Sequence, residues 1–142
     1  MANEHSASQA VSALPHPFAD LLGLRVTARG DGACRSEIEI RQQHMNPHGL
    51  VHGAVLYALA DTGMGGALTS ALADGELCTT IEIKISYFRP WRSGTLSCDS
   101  RLVNRGRTTA ALQSDLHDGE GRHLAQATGT FAILRRTPTS AS

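Results

Sequence analysis

NPHGLVHGAVLYALADTGMGGAL, residues 46–68, decides how this chain folds. From Gly53 onward Val55, Leu56, Leu59, Ala60, Met64, Ala67 and Leu68, continued by Ala71 and Leu72, nearly encircle a helical wheel. A helix apolar on almost every side belongs in an interior, so the pattern predicts a buried helix over Gly53–Ala73. Gly63, Gly65 and Gly66 each cost about 1 kcal/mol against alanine there, and close approach of a strand or another helix is the expected compensation. Upstream, Pro47 biases Asn46 away from helical angles and Gly49 weakens any continuation, so residues 44–51 read as a loop. His44, His48 and His52 recur every fourth residue and would align as metal ligands only on a helix. The loop reading removes that metal site and leaves His44 as a solvated loop residue.

Working outward, "PFADLLGL" reads as a short helical turn ended by Gly23, and "LRVTARGDG" as a weak strand. In "SEIEIRQ", Ile38 and Ile40 face one side while Glu37, Glu39 and Arg41 face the other. In "TIEIKISYF", Ile81, Ile83, Ile85 and Tyr87 alternate with Glu82, Lys84 and Ser86. "TLSCDSRLV", "TTAALQSDLHD" and "HLAQATGTFAILR" complete the strands, the last with small residues on its inner face. "NRGR" and "HDGEGR" invite hairpins, so the strands after about residue 95 should run antiparallel. The expectation is an α+β fold, one long buried helix wrapped by an antiparallel sheet.

With 142 residues the chain suits one domain spanning 1–142, with an ordered core over about 15–135 and mobile termini. Thirteen basic residues balance thirteen acidic ones, which gives no field for nucleic acid or anionic lipid. Gly49–Ala60 is too short to span a bilayer. Cys34, Cys78 and Cys98 are odd in number and lack CxxC spacing, and the first residues lack the basic start and apolar run of a secretory signal. Free thiols in a reducing cytoplasm are therefore expected.

Two residues of the opening stretch carry chemistry. Around Gly53 the first N–H groups of the helix have no intrahelical acceptor, and a glycine there admits a foreign carbonyl close to the backbone. This is either an oxyanion site or a glycine that eases the turn into the helix. Asp61 lies mid-helix in "LYALADTGMGG", where it is either a paired structural carboxylate or a base or nucleophile lining a cleft. Eight residues separate the two, a rise of about 12 Å at 1.5 Å per residue. One helix cannot present both to one carbonyl. If they act together, the second comes from another copy of the chain, across a two-fold axis with antiparallel helices.

Asn46, Gly49 and then His52-Gly53-Ala54, with Asp61 eight residues after Gly53, resemble the motif of hotdog-fold acyl-CoA thioesterases of the phenylacetate-pathway (PaaI-like) type. The resemblance runs from about residue 18 to 134 and includes "ISYFRPWRSG". It implies a helical sausage in a curved antiparallel bun and an active site between subunits. It also implies that the Gly53 N–H polarises the thioester carbonyl and that Asp61 of the opposite chain activates water or attacks the carbonyl. Asn46 would position the carboxylate or water, His52 would flank the thioester, and a hydroxyl on the next strand would fall at Thr80, with Thr79 one residue away. Ala54 stands where the family's second glycine is usual.

Coenzyme A phosphates need cations at a rim, and Arg89, Arg92, Arg105 and Arg107 stand in or beside expected turns. His48 joins them as a substrate-binding candidate, against the plainer reading of a loop histidine satisfied by backbone or water. Tyr87, Phe88 and Trp91 either border an acyl pocket or simply pack, and Cys78 reads as a small buried apolar residue. The resulting expectation is a cytoplasmic, homodimeric or homotetrameric thioesterase that cleaves a small, aromatic-type acyl-CoA (phenylacetyl- or hydroxyphenylacetyl-like). It would need no metal and no cofactor, since coenzyme A is part of the substrate. An acyl-thioester dehydratase or hydratase and a non-catalytic acyl-CoA sensor are the competing readings.

Overall fold

The computed structural model describes residues 15–137; of the two ends expected to be mobile, 1–14 and 138–142 lie outside that range. A first helix, α1 (Pro17–Leu22), starts on Pro17 and stops at Gly23, whose left-handed φ of 76° lets its N–H reach the carbonyls of Ala19 and Asp20. Strands β1 (Leu24–Gly30) and β2 (Ala33–Glu39) form a hairpin. The long helix α2 spans Gly53–Thr69, and β3 (Glu76–Tyr87), β4 (Thr95–Arg105), β5 (Thr109–His117) and β6 (His123–Arg135) follow. All six strands join one antiparallel sheet in the order β1-β2-β4-β5-β6-β3. The weak β1 expectation and the two C-terminal hairpins are both present. Among the described residues no helix is long and apolar enough to cross a membrane.

The sheet curls around α2, whose Val55, Leu56, Ala58, Leu59, Ala60, Gly63, Met64, Ala67 and Leu68 are buried. Small side chains on the inner sheet face let the helix sit close. Buried Ser36 and Ser114 direct their hydroxyls to the Leu59 and Ala60 carbonyls, each at 3.5 Å. Ser100 Oγ occupies the place a Cβ on Gly63 would take, and Cys34 Sγ would lie 2.8 Å from one on Gly66. These two glycines repay their helix cost by close approach, as expected. Gly65 does not: a Cβ there meets only Phe131 Cε1 at 4.0 Å, so it borders open space.

Three expectations are corrected. The helix ends at Thr69 and not Ala73, because Ser70 Oγ bonds the Ala67 carbonyl and Glu76 Oε1 takes the Ala73 N–H. His44 is not solvated: it is 1% exposed, accepts the Arg41 N–H at Nδ1 (2.8 Å) and donates from Nε2 to the Leu22 carbonyl (2.7 Å). It ties the loop before α2 to the end of α1. In β3 the even alternation fails, because the register with β6 slips between Thr80 and Glu82. That bulge leaves Ile81 57% exposed and changes the parity of the strand. Thr80 and Tyr87, which strict alternation would put on opposite faces, both reach α2.

Candidate active site

At the start of α2 the backbone donors are nearly all engaged. His52 N–H bonds the His44 carbonyl at 2.8 Å, Ala54 N–H bonds His52 Nδ1 at 2.9 Å, and Val55 N–H bonds the His52 carbonyl at 2.9 Å. The Gly53 N–H has no acceptor among the described residues. It sits at the positive end of a 17-residue helix, the recipe for holding a polarised carbonyl oxygen. Tyr87 donates from its phenol to the Gly53 carbonyl at 2.7 Å, and a Cβ on Gly53 would lie 3.0 Å from the phenol's Cζ and oxygen. Burial, then neighbouring Tyr57, hold that phenol above its ordinary pKa of 10.0, so it stays a donor at neutral pH. Asn46 Oδ1 accepts the N–H groups of His48 (2.9 Å) and Leu50 (3.1 Å), folding the loop onto itself. Asn46, Gly53 and Tyr87 line one cavity of about 280 Å³, with Phe88, Arg89 and Trp91 at its side.

Asp61 lies elsewhere. It lines a second cavity of about 420 Å³ with Thr62, Gly65, Gly66, Thr80 and Arg29. Thr80 Oγ1 donates to Asp61 Oδ1 at 2.7 Å, so of the two adjacent threonines it is Thr80 whose hydroxyl the carboxylate engages. Cys78 also borders this cavity, half-buried, with its sulfur 3.7 Å from Thr69 Oγ1. Burial raises its pKa, which keeps it a thiol and a poor nucleophile. The two cavities share no lining residue. Within one protomer the Gly53 donor and the Asp61 carboxylate therefore do not meet.

The remaining sequence-derived residues fall into three groups. His52 is exposed and its Nδ1 is committed to the helix cap, and His48 is exposed in the loop. With His44 buried, the three histidines share no face. Arg89 and Arg92 line a groove of about 600 Å³ beside the Gly53 cavity. Arg107 is exposed in the turn between β4 and β5. Arg105 is a correction: its guanidinium grips Glu76 at 2.8 and 2.9 Å and the Ala71 carbonyl at 2.9 Å. It is a clamp on the helix exit, with no donor fork left over for a phosphate. Arg122, missed in the sequence, lies in the Arg89–Arg92 groove 5.6 Å above the Trp91 ring, anchored to Asp118 at 2.7 Å. Among the described residues no group of three or more His, Cys, Asp or Glu is placed to hold a metal ion.

The model of the thioesterase superfamily matches residues 48–125, from the loop before α2 into β6. The chain belongs to the thioesterase superfamily. Its enzyme class is accordingly thioester hydrolase, and the curved sheet around one long helix is the hotdog fold. This thioesterase is similar to a mutant form of the phenylacetic acid degradation protein PaaI from Thermus thermophilus. The two are 31% identical over 86% of this chain and all of that one, with a TM-score of 0.76. It is also similar to the conserved protein PA5202 of Pseudomonas aeruginosa (29% identical, 91% of this chain and 99% of that one, TM-score 0.79). Thioesterase HI1161 of Haemophilus influenzae, at 24% identity over 87% of each chain and a TM-score of 0.81, shares the fold.

Proposed function

We propose that the protein hydrolyses a small acyl-CoA to the free acid and coenzyme A, in a site shared by two copies of the chain. One observation carries the reading. The helix-start N–H without an acceptor and the α2 carboxylate open into separate cavities of one protomer, so a site that uses both needs a second copy of the chain. Two features of the protomer support such a copy. β3 is an edge strand, paired only with β6, and its 12 residues offer an open row of backbone groups. Along α2, Ala54, Tyr57, Asp61, Gly65 and Thr69 form a stripe that the protomer's own sheet leaves uncovered. Pairing of β3 with its symmetry mate about a two-fold axis covers that stripe and sets the helices antiparallel.

In this assembly the Gly53 N–H of one protomer holds the thioester carbonyl and stabilises the oxyanion as it develops. The partner's Asp61, oriented by the Thr80 hydroxyl on one oxygen, uses the other to activate water or to attack the carbonyl carbon. Asn46 contributes its side-chain amide N–H groups, since its Oδ1 is spent on the loop. His52 flanks the thioester from the helix cap. Arg89 and Arg92, with Arg122 beside them, receive the phosphates of coenzyme A. No metal or cofactor takes part. The PaaI-like resemblance favours aromatic acyl groups of the phenylacetyl and hydroxyphenylacetyl type, a tetramer made of two such dimers, and a cytoplasmic location.

A thiol-release screen over aryl and aliphatic acyl-CoAs tests this. The parent should release coenzyme A, and Asp61→Asn and Asp61→Ala should lose most of kcat with a smaller change in KM. Equal hydrolysis by parent and Asp61 variants would overturn the assignment. Enoyl formation from a hydroxyacyl-CoA would mark a dehydratase, and tight binding without turnover a sensor.

A further inference from the structure

The cavity that holds Asp61 also receives a cation that the proposed hydrolysis leaves without a role. Strand β1 alternates Leu24 and Val26 inward, which would point Arg29 to solvent. Its register with β2 slips between Val26 and Ala28, and after that bulge Arg29 stands opposite Cys34. Cys34 is buried against Gly66. Directly opposed residues of an antiparallel pair share a face, so the bulge aims Arg29 at the helix. Its Cδ would lie 3.6 Å from a Cβ on Gly66, and its Nε is buried with no hydrogen-bond partner among the described residues. No ion pair to Arg29 occurs among the described residues either. A buried guanidinium nitrogen without a partner is costly unless a ligand supplies one.

The floor between Asp61 and Arg29 suits an elongated guest. Thr62, Gly65, Gly66 and Thr69 follow Asp61 on one helix face and line the same cavity. Gly65 and Gly66 carry no side chains to fill it. Gly66 is five residues beyond Asp61, about 7.5 Å along the helix axis. That span is the length of a short acyl group whose carbonyl carbon sits at Asp61.

We propose that Arg29 reads the far end of the acyl group, and that among short aliphatic acyl-CoAs the protein prefers those ending in a carboxylate, such as glutaryl-CoA. This rests on the acyl-CoA hydrolase reading above. The guanidinium fork matches a carboxylate in geometry and charge. The threonine hydroxyls accommodate a polar chain end, and the separation along α2 keeps the two anions apart. A phenolic hydroxyl, as in a hydroxyphenylacetyl group, is a weaker ligand for the same fork.

The test compares glutaryl-CoA with pentanoyl-CoA, which have equal carbon counts, and hydroxyphenylacetyl-CoA with phenylacetyl-CoA, by thiol release. The parent should favour glutaryl-CoA by about tenfold or more in kcat/KM, the gain expected of a charge-assisted bond. Arg29→Met should erase that preference while changing pentanoyl-CoA hydrolysis less than about threefold, and Arg29→Lys should restore part of it. A parent that cleaves pentanoyl-CoA as well as glutaryl-CoA, or an Arg29→Met variant that loses both equally, overturns the proposal. Thermal-shift titration of the parent with glutarate against pentanoate reads the subsite without turnover and without a variant. Selective stabilisation by glutarate supports the subsite and equal response to both acids overturns it. A protein that binds glutarate through Arg29 yet cleaves no acyl-CoA would refute the hydrolase reading alone.

Discussion

Gly53→Ala separates the chemistry of the helix start from its stability. The added methyl would lie 3.0 Å from Tyr87 Cζ and from its phenol oxygen, inside ordinary contact distance. Tyr87 must tilt away, and its 2.7 Å hydrogen bond to the Gly53 carbonyl is strained or lost, worth about 0.5–1.5 kcal/mol. Alanine regains up to about 1 kcal/mol over glycine in helical propensity. The two nearly cancel, so the melting temperature should move by no more than a few degrees. Activity should not be spared. The backbone N–H is retained, but with Tyr87 displaced the Gly53 peptide loses the hydrogen bond that orients it, and a misaimed oxyanion donor lowers kcat by up to about 10²–10³-fold. Thiol release and a thermal melt on the same preparation measure both quantities. Gly53→Ala/Tyr87→Phe should stay as inactive as the single variant, since the ring carbon still crowds the methyl. Full activity in Gly53→Ala, or recovery in the double variant, would refute an oxyanion role for the Gly53 N–H.

Two further predictions concern stability. The Ala73 N–H, then the Arg105 guanidinium, hold Glu76 below its ordinary pKa of 4.5. The unfolded chain takes up this proton first, so the contribution is present above pH 4.5 and is lost as the pH falls through the lower folded value. Thermal melts from pH 7 to 3 should therefore show less acid destabilisation in Glu76→Gln than in the parent; an unchanged acid limb would contradict the clamp. His44→Ala removes a buried ring and strands the Arg41 N–H and Leu22 carbonyl. It should cost about 2–4 kcal/mol in denaturant unfolding, and a change below about 0.5 kcal/mol would restore the solvated-loop view.

What could be read from sequence was whatever local chemistry decides. The start of α2 at Gly53 follows from Pro47, Gly49 and the apolar run, and β2 follows from the Ile38/Glu39 alternation. What escaped depended on single-residue slips or distant partners. Bulges near Thr27 and Ile81 invert strand parity without any turn residue to announce them, which hid Arg29 and the shared face of Thr80 and Tyr87. The Arg105 clamp needs Glu76, 29 positions away, and the burial of His44 needs the Leu22 carbonyl, 22 positions away. Hydrophobic periodicity overshoots the end of α2 because Ser70 competes for backbone groups through its hydroxyl, an effect that periodicity does not register.

Subunit complementation tests the two-protomer site most directly. Gly53→Ala and Asp61→Asn chains, each inactive alone, are unfolded, mixed in equal amounts and refolded together. Half of the resulting dimers should be mixed, each with one intact site, so thiol release should return to about a quarter of the parent's rate. A mixture no more active than either variant by itself would contradict the account.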